Sequence, residues 1–198
     1  DSYRDLLPSV DPARFAGYGA DYLRRAAPHR RTDRPFFVDK LPHNWADTGF
    51  IHLILPNAKI IDVRRSPMDC CWSNYRLLFA RGHPSSQSLE GMAAYYRHYV
   101  DMMAHFDAAL PGRVYRVIYE RLVEDFEPQV RALLDHVGVA FDPACLTFHR
   151  TDRSVATASS EQVRRPLNRA GIGAWRPYEP WLGPLKDALG DLKQRYGL

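Results

Sequence analysis

Cysteine is scarce in this 198-residue chain: there are three, Cys70, Cys71 and Cys145, two of them adjacent. Three thiols at that spacing make neither a disulfide framework nor a zinc-ligand pattern, and they point to a reducing, cytoplasmic setting. The sequence contains no apolar run of membrane-spanning length and no signal peptide. A large excess of either charge is also missing, with 27 Lys and Arg against 23 Asp and Glu. A formal charge of +4 and a pI near 9.0 suit a small anionic ligand. Without a basic stripe or RNA-binding aromatics they do not imply nucleic acid. Internal repeats and low-complexity segments are missing too. The chain opens at Asp1 rather than methionine, and its first strand-like segment comes as late as Phe36, so it reads as part of a longer polypeptide.

What is present is ordinary for a globular protein, with 45% hydrophobic and 25% charged residues. The length supports one domain with a real core. Asp11-Pro12 is an N-cap pair that opens a helix to about Arg25. Phe36-Phe37-Val38 reads as a short buried strand, and the apolar segment from Gly49 to Pro56 as a buried helix. Ile60, Ile61 and Val63 are a β-branched run of the kind that fills a buried parallel strand. Leu89, Met92, Tyr96, Tyr99, Met103, Phe106 and Leu110 step by three and four, predicting a helix from Ser88 to Leu110. The segment from Arg113 to Tyr119 reads as a third strand, and Pro128 to Val137 as a helix stopped by Gly138. The expected organisation is a single domain over 1–198. It comprises a helical lead-in (1–35), an α/β core (36–148), a long basic loop (149–176) and a C-terminal helix (177–198). Strands alternating with helices predict an α/β fold, a parallel β-sheet flanked by helices with right-handed crossovers.

The stretch from Ala58 to Phe79 organises the rest. Ser66 is read as N-cap, Pro67 as the first helical residue and Asp69 as the acid closing a capping box. Arg64 and Arg65 therefore stand where a strand ends and a helix begins, a position that favours anions. A guanidinium there can grip phosphate with two hydrogen bonds. Ser73, eight residues after Arg65, is placed to reach the same anion. The plainer reading is a capped helix with solvated arginines. Three strand ends carry polar chemistry: Lys40, Arg65 and Tyr119. In a parallel sheet they share one edge, and the basic loop with Ser154, Thr157, Arg164 and Arg165 can fold over it. Singly these are a surface lysine, a core tyrosine and a tether; together they suggest a phosphate- or sulfate-bearing ligand. His43 and His52 flank Lys40 as rival bases, although His52 on an apolar helix fits a core role better. His98 and His105, seven apart, do not have metal-ligand spacing, so no metal is expected.

Taken together, these segments resemble the sulfotransferases that use 3'-phosphoadenosine 5'-phosphosulfate (PAPS). RRSPMDCCWS (64–73) resembles the family's segment that binds the donor's ribose phosphate. DKLPHNW (39–45) resembles the segment carrying a catalytic lysine or histidine, at the position of Lys40. VIYERL (117–122) resembles a third-strand motif whose tyrosine, matched by Tyr119, lies near the donor. TASSEQVRRPLN (157–168) and GIGAW (171–175) resemble the donor-covering loop of tyrosylprotein sulfotransferases. They are closer still to bacterial enzymes with tetratricopeptide repeats ahead of the catalytic domain. The resemblance implies a P-loop-kinase-like fold, sulfuryl transfer to a hydroxyl or amine, and a repeat domain as partner. It assigns Lys40 to catalysis, and Arg65, Ser73, Tyr119, Ser154, Thr157, Arg164 and Arg165 to the donor. Trp175 is expected to pack the loop base rather than stack on adenine. The family's opening strand and P-R-S-G-T-T-type phosphate loop have no counterpart here, which leaves an inactive binding or scaffold module as the alternative. A small kinase is a third reading, weakened because nothing stands out to hold magnesium beyond Asp69. The acceptor stays open among protein tyrosine, carbohydrate and small phenols.

Overall fold

The computed structural model describes residues 3–77, 84–151 and 160–192, with the side chains of Ser160 and Glu161 left aside. The predicted sites Ser154 and Thr157, and the end of the predicted C-terminal helix, lie outside these residues. The chain forms two compact units, residues 1–60 and 61–198.

The first unit is built on helices α1 (Tyr3–Leu6), α2 (Ala13–Ala26) and α3 (Thr48–Ile54). Asp11 does what its type predicts, accepting a bond from the Ala13 N–H at 2.9 Å. The predicted strand Phe36–Val38 is not formed. Phe36, Phe37 and Val38 are 54%, 40% and 90% exposed and lie in irregular backbone. A strand needs a neighbour to satisfy its ladder, and no described strand lies beside this one. The segment is instead fastened to α2: Tyr22 stacks near Phe37, centroids 6.5 Å apart, and its hydroxyl donates to Asp39 at 2.6 Å. Lys40 follows, exposed to solvent.

The second unit carries the sheet. Strands β1 (Ile60–Arg64) and β2 (Val114–Ile118) pair in parallel. Between them run α4 (Pro67–Arg76) and α5 (Leu89–Ala109). After β2 come α6 (Tyr119–Glu124) and α7 (Phe126–Val137), then α8 (Ser160–Val163) and α9 (Gly183–Leu189). The fold is α/β, a parallel pair flanked by helices, as the alternation predicts. The long helix α5 begins at its predicted cap, Ser88 Oγ accepting from the Gly91 N–H at 2.9 Å. Its inner face meets Met68 and Cys71 of α4 and Leu185 and Leu189 of α9 to form the core. The expected C-terminal helix is broken in its first part: a 3-10 turn over Arg176–Trp181 contains Pro180, and α9 restarts with Pro184 in its first turn.

Strand β1 reverses the sequence expectation. Ile61 and Val63 are 39% and 65% exposed, while Asp62 and Arg64 are buried. Asp62 is the hub. It accepts from Arg64 Nη2 and Arg116 Nε, both at 3.1 Å, and from the Tyr99 hydroxyl. Arg64 Nε in turn donates to Tyr99 Oη at 3.1 Å. Charged groups this far from water persist only when paired. This network claims the face covered by α5, so the β-branched residues take the other.

Candidate functional site

Both strands end at the same edge, and each hands over to a helix. Arg65 follows β1; Tyr119 follows β2 and opens α6. The Arg65 guanidinium carbon lies 4.9 Å from the centre of the Tyr119 ring, a cation–π contact that fixes the plane of the fork. Tyr96 of α5 holds the Arg65 backbone, donating to its carbonyl at 2.6 Å. The predicted meeting of these two strand ends therefore occurs.

The start of α4 departs from prediction. Pro67 is the first helical residue, but the Ser66 side chain makes no cap bond. The Ser66 N–H, which a capping box would give to Asp69, donates to Glu120 Oε1 at 2.8 Å. Glu120 is 5% exposed and sits one residue after Tyr119, so α6 braces α4 at its first turn. Asp69, 3% exposed, is left to accept from the Gly173 N–H at 2.9 Å.

That bond brings in the late loop. Asn168 Oδ1 accepts from the Ala170 N–H at 3.0 Å, closing a local turn. The Gly171 carbonyl then accepts from Arg65 Nη2 at 2.8 Å. Space favours glycine here: a Cβ at 171 would lie 3.2 Å from Arg65 Nη2 and 3.3 Å from Tyr119 Oη, tighter than ordinary contact. Gly173 has φ of +72°, the left-handed region. Sequence reasoning missed Glu120, Tyr96 and the Asp69 contact; the G-I-G spacing was the one available signal for the close approach.

Two atoms at this edge are buried without hydrogen-bond partners among the described residues, Arg65 Nε and Asp69 Oδ1. Arg65 thus has donor capacity beyond its bond to Gly171, as a phosphate ligand requires. Cys70 stands beside them, half-buried and unbridged. Burial pushes its thiol up; Arg65 and the Asn74 amide pull against this, and the Glu120 and Asp69 carboxylates add smaller upward contributions. Burial raises the Cys71 thiol as well. Among the described residues no group of three His, Cys, Asp or Glu side chains is arranged to hold a metal.

The sequence of residues 10–143 matches the model of the sulfotransferase family. The chain belongs to the sulfotransferase family. It is also 35% identical over 171 residues to an uncharacterized protein of Aquifex aeolicus (strain VF5). That match covers 85% of this chain but 22% of the relative, so the chain spans about a fifth of that protein's length.

The sulfotransferase match takes in Lys40, Arg65, Ser73 and Tyr119, and ends before Arg164, Arg165 and the loop at 168–176. Ser73 stands on α4 one turn beyond Asp69 and Cys70, on their face of the helix, half-buried. Arg164 and Arg165 follow α8 and are exposed. Lys40 belongs to the first unit, Arg65 and Tyr119 to the second. Trp175 packs against the core of α4, α5 and α9, with Lys186 Nζ 5.6 Å from its ring centre, which is the packing role expected of it. No helix among the described residues is long and apolar enough to cross a membrane.

Proposed function

We propose that this sulfotransferase-family chain takes PAPS as donor and transfers its sulfuryl group to a hydroxyl or amine acceptor. The observation that carries the reading is Arg65 held against Tyr119 at the ends of both parallel strands, beneath the Gly171 carbonyl. Arg65 and Ser73 take the ribose phosphate, with Arg164 and Arg165 adding positive charge from the loop and Ser154 and Thr157 as further hydroxyl donors. Tyr119 lines the donor. The resemblance of the loop sequence favours the branch with tetratricopeptide repeats ahead of the catalytic domain, in a cytoplasmic setting.

Sulfuryl transfer, like phosphoryl transfer, is governed by positioning and charge stabilisation. The acceptor oxygen or nitrogen bonds to sulfur and gives up its proton to a base. The bond from sulfur to the bridging phosphate oxygen breaks, leaving adenosine 3',5'-bisphosphate. Negative charge accumulates on that oxygen, and Lys40 is the residue assigned to stabilise it. Losing one such stabiliser costs about 100- to 1000-fold in rate. Transfer of radiolabelled sulfuryl from PAPS to a tyrosine peptide, a carbohydrate and a small phenol tests the reading in the full-length protein. Lys40→Ala is expected to lose turnover by about that factor; unchanged turnover would remove the lysine from the mechanism.

A further inference from the structure

We infer that Asp69 is a positioning residue of the donor site, the latch that keeps the loop at 168–176 on Arg65; this rests on the donor reading above. The local sequence, S-P-M-D, gives Asp69 a different job, the capping of its own helix. The structure takes that job away. The N–H that Asp69 would bind is held by Glu120, 54 residues distant in the chain. Asp69 instead faces the loop and accepts from the Gly173 N–H, 104 residues away.

The consequences run through two residues of backbone. Gly173 fixed on Asp69 sets the position of Gly171, whose carbonyl accepts from Arg65 Nη2. Arg65 is in turn stacked on Tyr119. The chain of contacts is therefore α4, loop, Arg65, α6, and Asp69 is its anchor at the helix end. The approach is close, because a side chain at Gly171 would press on Arg65 Nη2 and Tyr119 Oη together. The carboxylate is 3% exposed, so water does not compete for the Gly173 amide. Trp175 packs the base of this loop on the core, and the Asp69 bond fixes the backbone ahead of it. The Asn168 turn is internal to the loop, and the Arg169–Glu124 pair at 3.0 Å lies on the surface, with side chains 67% and 51% exposed.

A latch of this kind acts through Arg65 and makes no contact with the reacting atoms. It keeps the guanidinium turned toward the strand ends and removes the loop's freedom before the donor arrives, which lowers the ordering cost of binding. Asparagine at 69 retains an oxygen acceptor for the Gly173 N–H; alanine does not.

The test compares Asp69→Ala and Asp69→Asn with the wild type in the full-length protein. Amide hydrogen exchange across 168–176 is read without nucleotide, and the affinity for adenosine 3',5'-bisphosphate is read by calorimetry. Loss of one hydrogen bond to a charged group predicts about tenfold faster exchange at Gly173 and about tenfold weaker nucleotide binding in Asp69→Ala, with both restored in large part by Asp69→Asn. Unchanged exchange in Asp69→Ala overturns the latch. So does faster exchange with unchanged affinity, since the loop would then position nothing. If the wild type binds no nucleotide the donor reading falls, and the exchange data still decide whether Asp69 holds the loop.

Discussion

Adjacent arginines at the end of one strand should fail in opposite ways. Arg64 has an 8% exposed side chain and is held by Asp62 at 3.1 Å and by Tyr99 Oη at 3.1 Å, with its guanidinium carbon 5.0 Å from the Tyr99 ring centre. Arg64→Ala leaves the Asp62 carboxylate buried with Arg116 and Tyr99 alone. Breaking a buried pair from one side costs about 3–5 kcal/mol, and the surviving Arg116 contact at 3.1 Å puts this case near the lower figure. For a protein of this size that is a fall in Tm of roughly 6–12 °C. Arg65 makes one bond to a backbone carbonyl and a half-buried stack, so Arg65→Ala should cost about 1 kcal/mol in stability. Urea unfolding and scanning calorimetry of both variants read the difference, and nucleotide titration then separates stability from binding. The reasoning is refuted if Arg64→Ala lowers stability by less than Arg65→Ala does.

Tyr99→Phe should change the response to alkali. Its phenol is pushed above the ordinary 10.0, first by burial and then by Asp62. A raised folded-state value gives stability that is complete below about pH 10 and lost as pH rises through the folded value. Wild-type stability should therefore fall above about pH 10, and Tyr99→Phe, though less stable at neutral pH, should fall less steeply in a chemical-denaturation series. Gly171→Val should weaken nucleotide binding more than Gly171→Ala, because the added bulk meets Arg65 and Tyr119. Calorimetry showing the two alike would mean that the loop yields freely.

Much of the fold is legible in local sequence because its causes are local. Ser88 and Asp11 cap the helices they precede, and Pro67 starts α4. Elsewhere the cause lies far along the chain. The apolar run at Phe36 has the composition of a strand, but pairing requires a neighbour that composition cannot supply. In β1 the β-branched run reads as buried, yet Ile61 and Val63 face outward, because Tyr99 and Arg116 hold Asp62 and Arg64 inside from 35 to 54 residues away. Asp69 has the type and spacing of a cap, and only Glu120 reveals that the place is taken. The site follows the same rule. Arg65 and Tyr119 are readable as strand ends, whereas the Gly171 carbonyl, 106 residues from Arg65, is not.

The central claim is that Arg65, set on Tyr119 at the ends of the parallel strands, grips a nucleotide phosphate. Titration of the full-length protein and its Arg65→Ala variant with adenosine 3',5'-bisphosphate tests it most directly. A charge-assisted bond of about 1.5–3 kcal/mol predicts roughly 10- to 150-fold weaker binding by the variant. Equal affinities for the two proteins would contradict it.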